Sequence, residues 1–129
     1  MEDIEVKSII PAPAARIYAA WLDGPQHAAM TGAPATGSPT VGSAFTAWEG
    51  YISGKNLELE ADRRIVQAWR STEFPKRAKD SRVEVRLAPH PGGTEVTIVH
   101  TAIPKGQGAS YLKGWEDFYF KPMRAFFGG

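Results

Sequence analysis

The sequence contains no cysteine, which removes disulfide scaffolds, thiolate nucleophiles and cysteine-ligated zinc or iron–sulfur centres by counting alone. It also lacks a dominant sign of charge: 15 Lys+Arg stand against 14 Asp+Glu, a formal net charge of +1. So balanced a chain has no field to recruit a polyanion and shows no basic stripe, so no nucleic-acid partner is expected. No apolar run approaches the roughly 18 residues of a membrane-spanning helix. The start, Met1-Glu2-Asp3-Ile4-Glu5-Val6-Lys7, lacks the charged-then-apolar pattern of a secretory signal. A cytoplasmic protein without membrane insertion is the expectation.

Catalytic spacings are equally scarce. There is no Gly-x-Ser-x-Gly elbow, no His-Glu-x-x-His, no phosphate-binding glycine–lysine loop and no calcium loop. Gly106-Gln107-Gly108 carries Tyr111 where a dinucleotide-binding loop would place a third glycine, and it reads as a turn. The three histidines, His27, His90 and His100, are too scattered for a metal site. No cofactor, no metal and no catalytic residue is therefore expected.

What the chain does have is turn residues and bulky rings: 13 Gly, 10 Pro, 4 Trp, 4 Tyr and 6 Phe in 129 residues. That length is enough for one core without cross-links and too short for a second domain, so residues 1–129 are read as a single domain. Residues 3–10 alternate loosely and stop at Pro11-Ala12-Pro13, a strand followed by a rigid turn. Ala14–Leu22 is rich in helix formers with Asp23-Gly24 as its stop, and a short second helix over 25–30 precedes a Gly- and Pro-punctuated loop.

From Ala44 the period changes to two. Ala44–Glu49, Tyr51–Glu60, Arg63–Thr72, Asp80–Ala88 and Thr94–Ile103 read as strands of an antiparallel sheet with one wet face. In the fourth, Arg82, Glu84 and Arg86 alternate with Val83, Val85 and Leu87. In the fifth, His100 shares a face with Val96 and Ile98, where an imidazole needs a partner or a wet cavity. Glu58 and Glu60 fall on a solvated outer face, and Lys76-Arg77-Ala78-Lys79 is a basic cluster in a turn.

The tail, Ser110 to Phe127, reads as one long helix with Ser110 as N-cap and a kink at Pro122. Its bulky face carries Trp115, Phe118, Tyr119, Pro122, Met123 and Phe126. A sheet with one apolar face must bury it, and this helix is the one partner large enough. The expected architecture is α+β, a curved antiparallel sheet of about six strands wrapped around a long C-terminal helix, with one or two short helices after the first strand. Such a sheet tends to leave a hollow.

Several further segments point the same way: Gly42-Ser43-Ala44-Phe45, Glu49-Gly50-Tyr51-Ile52-Ser53-Gly54, Arg64-Ile65-Val66-Gln67-Ala68-Trp69-Arg70, Phe74-Pro75, Gly93-Thr94-Glu95-Val96, His100, Ile103-Pro104, and Gly114-Trp115-Glu116 before Tyr119-Phe120. In order and spacing they resemble the START/SRPBCC superfamily of helix-grip proteins, and within it the activator of heat-shock-protein-90 ATPase homologues. The superfamily includes lipid carriers, hormone receptors and cyclases, so the resemblance implies the fold and leaves the function open. The separate N-terminal chaperone-binding domain of two-domain members has no counterpart within these 129 residues, so direct stimulation of a chaperone ATPase is not carried over.

Three functional readings follow. The first is non-catalytic binding of a small apolar or amphipathic molecule between sheet and C-terminal helix, with Trp21, Trp48, Trp69, His100, Trp115, Phe118, Tyr119 and Met123 as ligand-binding candidates. The alternative is a stress-related or chaperone-associated domain that uses its surface. The third is a cyclase or hydrolase built on His100, which nothing in the sequence demands.

Overall fold

The structure, a computed structural model, describes residues 1–128. Strand β1 (Glu2–Ile10) leads into helices α1 (Ala14–Leu22) and α2 (Gly24–Thr31). Strands β2 (Ala44–Ala47), β3 (Ile52–Glu60), β4 (Arg64–Ser71), β5 (Ser81–His90) and β6 (Gly93–Ile103) then run as a meander, and the chain ends in a long helical segment from Gly108 to Gly128. All six strands form one antiparallel sheet in the order β1-β6-β5-β4-β3-β2. Sequential hairpins give the run from β6 to β2, and β1 returns to pair with β6, Val6 opposite Ile98. The expected α+β architecture is the observed one.

Local chemistry explains the element ends. The Asp23 carboxylate accepts from the Gln26 amide at 2.9 Å and caps α2, which stops at Gly32 in the left-handed region (φ 85°). The sheet face toward the helices carries Val83 and Val85 of β5 with Val96, Ile98 and His100 of β6, all inaccessible to solvent. The opposite face carries Glu84 ringed by Arg64, Arg82 and Arg86. Glu58 and Glu60 also lie there, each paired with Arg64. These cations hold the Glu84 carboxyl down at about 2, although burial works against them. A bulge between Asn56 and Glu58 turns Leu57 outward, 38% exposed, so the strict alternation expected through β3 is broken there.

The Gly- and Pro-rich loop between α2 and β2 is pinned by a chain of buried amides. The Trp21 indole donates to Gln67, Gln67 donates to Asn56 Oδ1 at 2.9 Å, and Asn56 donates to the carbonyls of Ser38 and Thr40. Each buried polar group thus hands its hydrogen bond to the next, which links α1 through the sheet to the loop.

Two further sequence expectations are corrected. The strand expected to run to Glu49 ends at Ala47, because Trp48 (φ 53°), Glu49 (φ 58°) and Gly50 (φ 88°) all adopt the left-handed conformation. The Gly50 and Tyr51 amides donate to the carbonyls of Ala47 and Trp48, so the β2–β3 connection is a left-handed turn built largely from residues that disfavour it. Glu49→Gly is expected to raise unfolding free energy by about 0.5–1 kcal/mol, since relief of this strain outweighs the added freedom of the unfolded chain. A urea titration would show it as a higher midpoint at unchanged slope.

The second correction concerns the tail. It is not one kinked helix capped by Ser110 but α3 (Gly108–Trp115), a wide turn (Glu116–Phe120) and α4 (Lys121–Gly128). The cap comes from the far end of the chain, as the Glu2 carboxylate accepts from the amides of Gly106 (2.9 Å) and Gly108 (2.7 Å). In the wide turn the Lys121 amide donates to the carbonyl of Glu116, five residues back. The irregularity immediately precedes Pro122, which has no amide hydrogen and would clash with the Phe118 carbonyl in a regular helix. Tyr111, Trp115, Tyr119, Met123 and Phe127 all face inward at a spacing of four. Such spacing overshoots a 3.6-residue turn, and the wide turn absorbs the drift. Phe118 and Phe126, expected on the packed face, are instead exposed.

Candidate binding pocket

The inward residues of α3 and the wide turn do not fill the space beside β3 and β4. A cavity of about 500 Å³ remains. Its floor is Ile52 of β3 and Trp69 of β4, and its opposite wall is Tyr111, Gly114, Trp115 and Tyr119. Trp48 closes one side from the left-handed turn, against Phe118 with ring centres 5.3 Å apart and edge to face. Tyr51 and Ser110 complete the lining. Phe118 is 55% and Tyr51 39% exposed, so these two rings mark the mouth.

The rings are held by hydrogen bonds behind the wall. An indole nitrogen can only donate, so the 3.1 Å contact between Trp115 Nε1 and His100 Nδ1 makes Nδ1 the acceptor. Nε2 of His100 then carries the hydrogen and donates to Ser81 Oγ at 2.8 Å, which donates in turn to the Trp69 carbonyl at 2.7 Å. Burial pushes the His100 pKa down to about 3, so the ring is neutral. A second chain mirrors the first. His27 Nδ1 donates to the Trp21 carbonyl at 2.8 Å, which leaves Nε2 to accept from the Tyr119 hydroxyl at 2.9 Å. Burial lowers the pKa of His27 and raises that of Tyr119, so both are neutral as well.

Tyr111 is fixed from a third direction. Its hydroxyl donates to Gln107 Oε1 (2.8 Å) and accepts from Ser71 Oγ (2.5 Å), while Gln107 donates to the Glu73 carbonyl. Trp48 is the exception. Its indole nitrogen is sealed from solvent and has no hydrogen-bond partner among the described residues.

Of the eight candidate residues, Trp48, Trp69, Trp115, Phe118 and Tyr119 border the cavity. Trp21, His100 and Met123 lie behind it. Trp21 stacks on Tyr119 at 5.0 Å, His100 sits edge-on to Trp69 at 4.6 Å, and Met123 is fully buried in the core. With both nitrogens engaged, His100 has no free lone pair to act as a base. Four lining residues besides Ile52 escape the sequence reading: Tyr51, Ser110, Tyr111 and Gly114. Tyr111 was legible as the residue four before Trp115, and Gly114 as the small residue four before Phe118. Among the described residues no group of three or more His, Asp or Glu could hold a metal ion, and no helix is long and apolar enough to cross a membrane.

An open antiparallel sheet closed around a C-terminal helix, with an aromatic cavity between them, defines a helix-grip protein. The family model for activator of Hsp90 ATPase homolog 1-like proteins matches residues 11–128, and the chain belongs to that family. It is similar to an uncharacterised protein of Schizosaccharomyces pombe, 28% identical over 98% of this chain and 37% of that protein. It is also similar to the human activator of 90 kDa heat shock protein ATPase homolog 1, 28% identical over 78% of this chain and 29% of that one. The chain thus spans about a third of the length of these curated relatives. Among solved structures, an HSP90 activator from Plasmodium falciparum matches with a TM-score of 0.89 at 20% identity, covering 99% of this chain and 97% of that one. The Aha1 dimer from Colwellia psychrerythraea matches at 0.81 and 18%, covering 98% and 96%. At such identities the likeness is one of fold.

Proposed function

We propose that this protein is a non-catalytic, cytoplasmic binding module, a single domain that holds a small, largely apolar molecule between β3–β4 and α3. The observation that carries the reading is the 500 Å³ cavity, whose walls are mostly aromatic rings. This is the size and chemistry of small-molecule sites in general. The left-handed turn that sets Trp48 against Phe118 adds support, because backbone strain concentrates where a side chain must be aimed.

The test is to compare the mass of gently purified protein under native conditions with its mass after denaturation, and then to titrate it with the uncharged dye N-phenyl-1-naphthylamine. A co-purified mass that vanishes on denaturation, or saturable one-to-one dye binding lost in Gly114→Trp, is expected. Neither signal in a folded protein would end the proposal.

A second reading, a chaperone-associated domain, is favoured by family membership and by relatives named as Hsp90 activators. The exposed basic loop at Lys76, Arg77 and Lys79 offers a contact for an acidic partner surface. It predicts recovery of Hsp90 from a lysate at physiological salt, lost when these three residues are changed to Glu. Retention by the charge-reversed protein would exclude that loop as the contact.

A further inference from the structure

We propose that the pocket selects an uncharged, flat aromatic molecule with a hydroxyl or carbonyl oxygen at one edge, rather than a fatty acid or other ionised amphiphile. This rests on the ligand-binding reading above and names the ligand class for the same site.

Charge is the first argument. None of the ten lining residues is Asp, Glu, Lys, Arg or His. The two histidines behind the wall are locked neutral by their hydrogen bonds and supply no positive charge. The Glu73 carboxylate is felt at the Tyr111 hydroxyl, and it opposes an anion. A bound carboxylate would leave water for a site with no countercharge, which is costly in recognition.

Rigidity is the second. Trp115 is tied to His100, Tyr119 to His27, and Tyr111 to Ser71 and Gln107, so three wall rings cannot rotate to follow a flexible chain without breaking buried hydrogen bonds. Flat faces held in place are complementary to flat ligands, which stack on them and lose little conformational freedom. Polarity is the third. The side chains of Tyr51 and Tyr111 lie within reach of each other, with Ser110 next to Tyr111 on α3, whereas Trp48 and Phe118 meet edge to face. One polar patch and one apolar patch are thereby specified.

Three probes separate the possibilities: 9-hydroxyphenanthrene, phenanthrene-9-carboxylate with the same rings and a charge, and 1-dodecanol, neutral but flexible. Binding at pH 7 is read by calorimetry and by the indole ¹⁵N–¹H resonances of the four tryptophans. The hydroxyphenanthrene should bind at least about 30-fold tighter than the carboxylate and about tenfold tighter than the alcohol, shifting the tryptophan signals of the wall. Ser110→Lys, at an exposed position on the lining, should narrow the gap between the carboxylate and the hydroxyphenanthrene at least about tenfold. A carboxylate or dodecanol that binds as tightly as the hydroxyphenanthrene would overturn the inference and leave the binding module standing. Failure of all three probes to bind folded protein would remove both.

Discussion

Trp115→Ala should cost about 3–5 kcal/mol of unfolding free energy, a large share of the stability of a domain this size. Trp115 is almost fully buried where α3 meets the sheet, with Trp69 at 5.6 Å and Tyr119 at 4.9 Å between ring centres. Truncation removes these contacts and enlarges a cavity that is already about 500 Å³. Polar loss adds to it, because His100 Nδ1 has Trp115 Nε1 as its donor. Trp115→Phe isolates that component: most of the ring remains while the nitrogen is left unsatisfied, at about 1–3 kcal/mol. Urea unfolding of both variants checks the argument. A loss below about 1 kcal/mol for the alanine variant would mean that Trp115 does not anchor the helix.

That anchor was legible in the sequence because the strands facing it are. The alternation of Arg82, Glu84 and Arg86 with Val83, Val85 and Leu87 has one solution on a half-buried sheet, and β6 repeats it with His100 on the inner face. The aromatic wall was legible in part, since four tryptophans in a small chain must either pack densely or line a hollow. The departures come from interactions that no local pattern encodes. Glu2 caps a helix more than 100 residues away. Trp48 and Glu49 are not turn formers, and their left-handed conformation is set by packing and by the Glu49 amide on the Pro34 carbonyl. The wide turn at Glu116–Phe120 could have been suspected from Pro122 and the four-residue spacing. Which rings border the cavity and which stand behind it depends on tertiary placement: Trp21 and Trp69 are equally buried, yet only Trp69 touches the space.

Acidification from pH 7 to pH 5 should lower the unfolding free energy by about 2 kcal/mol through His100, with His27 adding in the same direction. His100 has its folded pKa pushed by burial to about 3, against an ordinary value of 6.5. Between those values the unfolded chain binds a proton that the folded chain refuses, so stability falls as pH drops below 6.5, by up to about 1.4 kcal/mol per unit, and levels off near 3. Geometry reinforces the sign, since a proton on Nδ1 would set two N–H groups face to face at the Trp115 contact. His27 has its pKa lowered by burial and meets the same opposition at Nε2 from the Tyr119 hydroxyl. Glu84, held at about 2 against 4.5, weakens the fold only at lower pH. Urea unfolding at pH 7, 6 and 5 gives the slope, and His100→Gln should flatten it while being less stable at pH 7. If that variant does not fold, imidazole ¹³C shifts of the wild type at pH 5 decide: a neutral His100 upholds the argument. A charged ring, or stability that is flat between pH 7 and 5, would mean that His100 accepts a proton in place and that the Trp115–His100–Ser81 chain is not what holds the pocket wall.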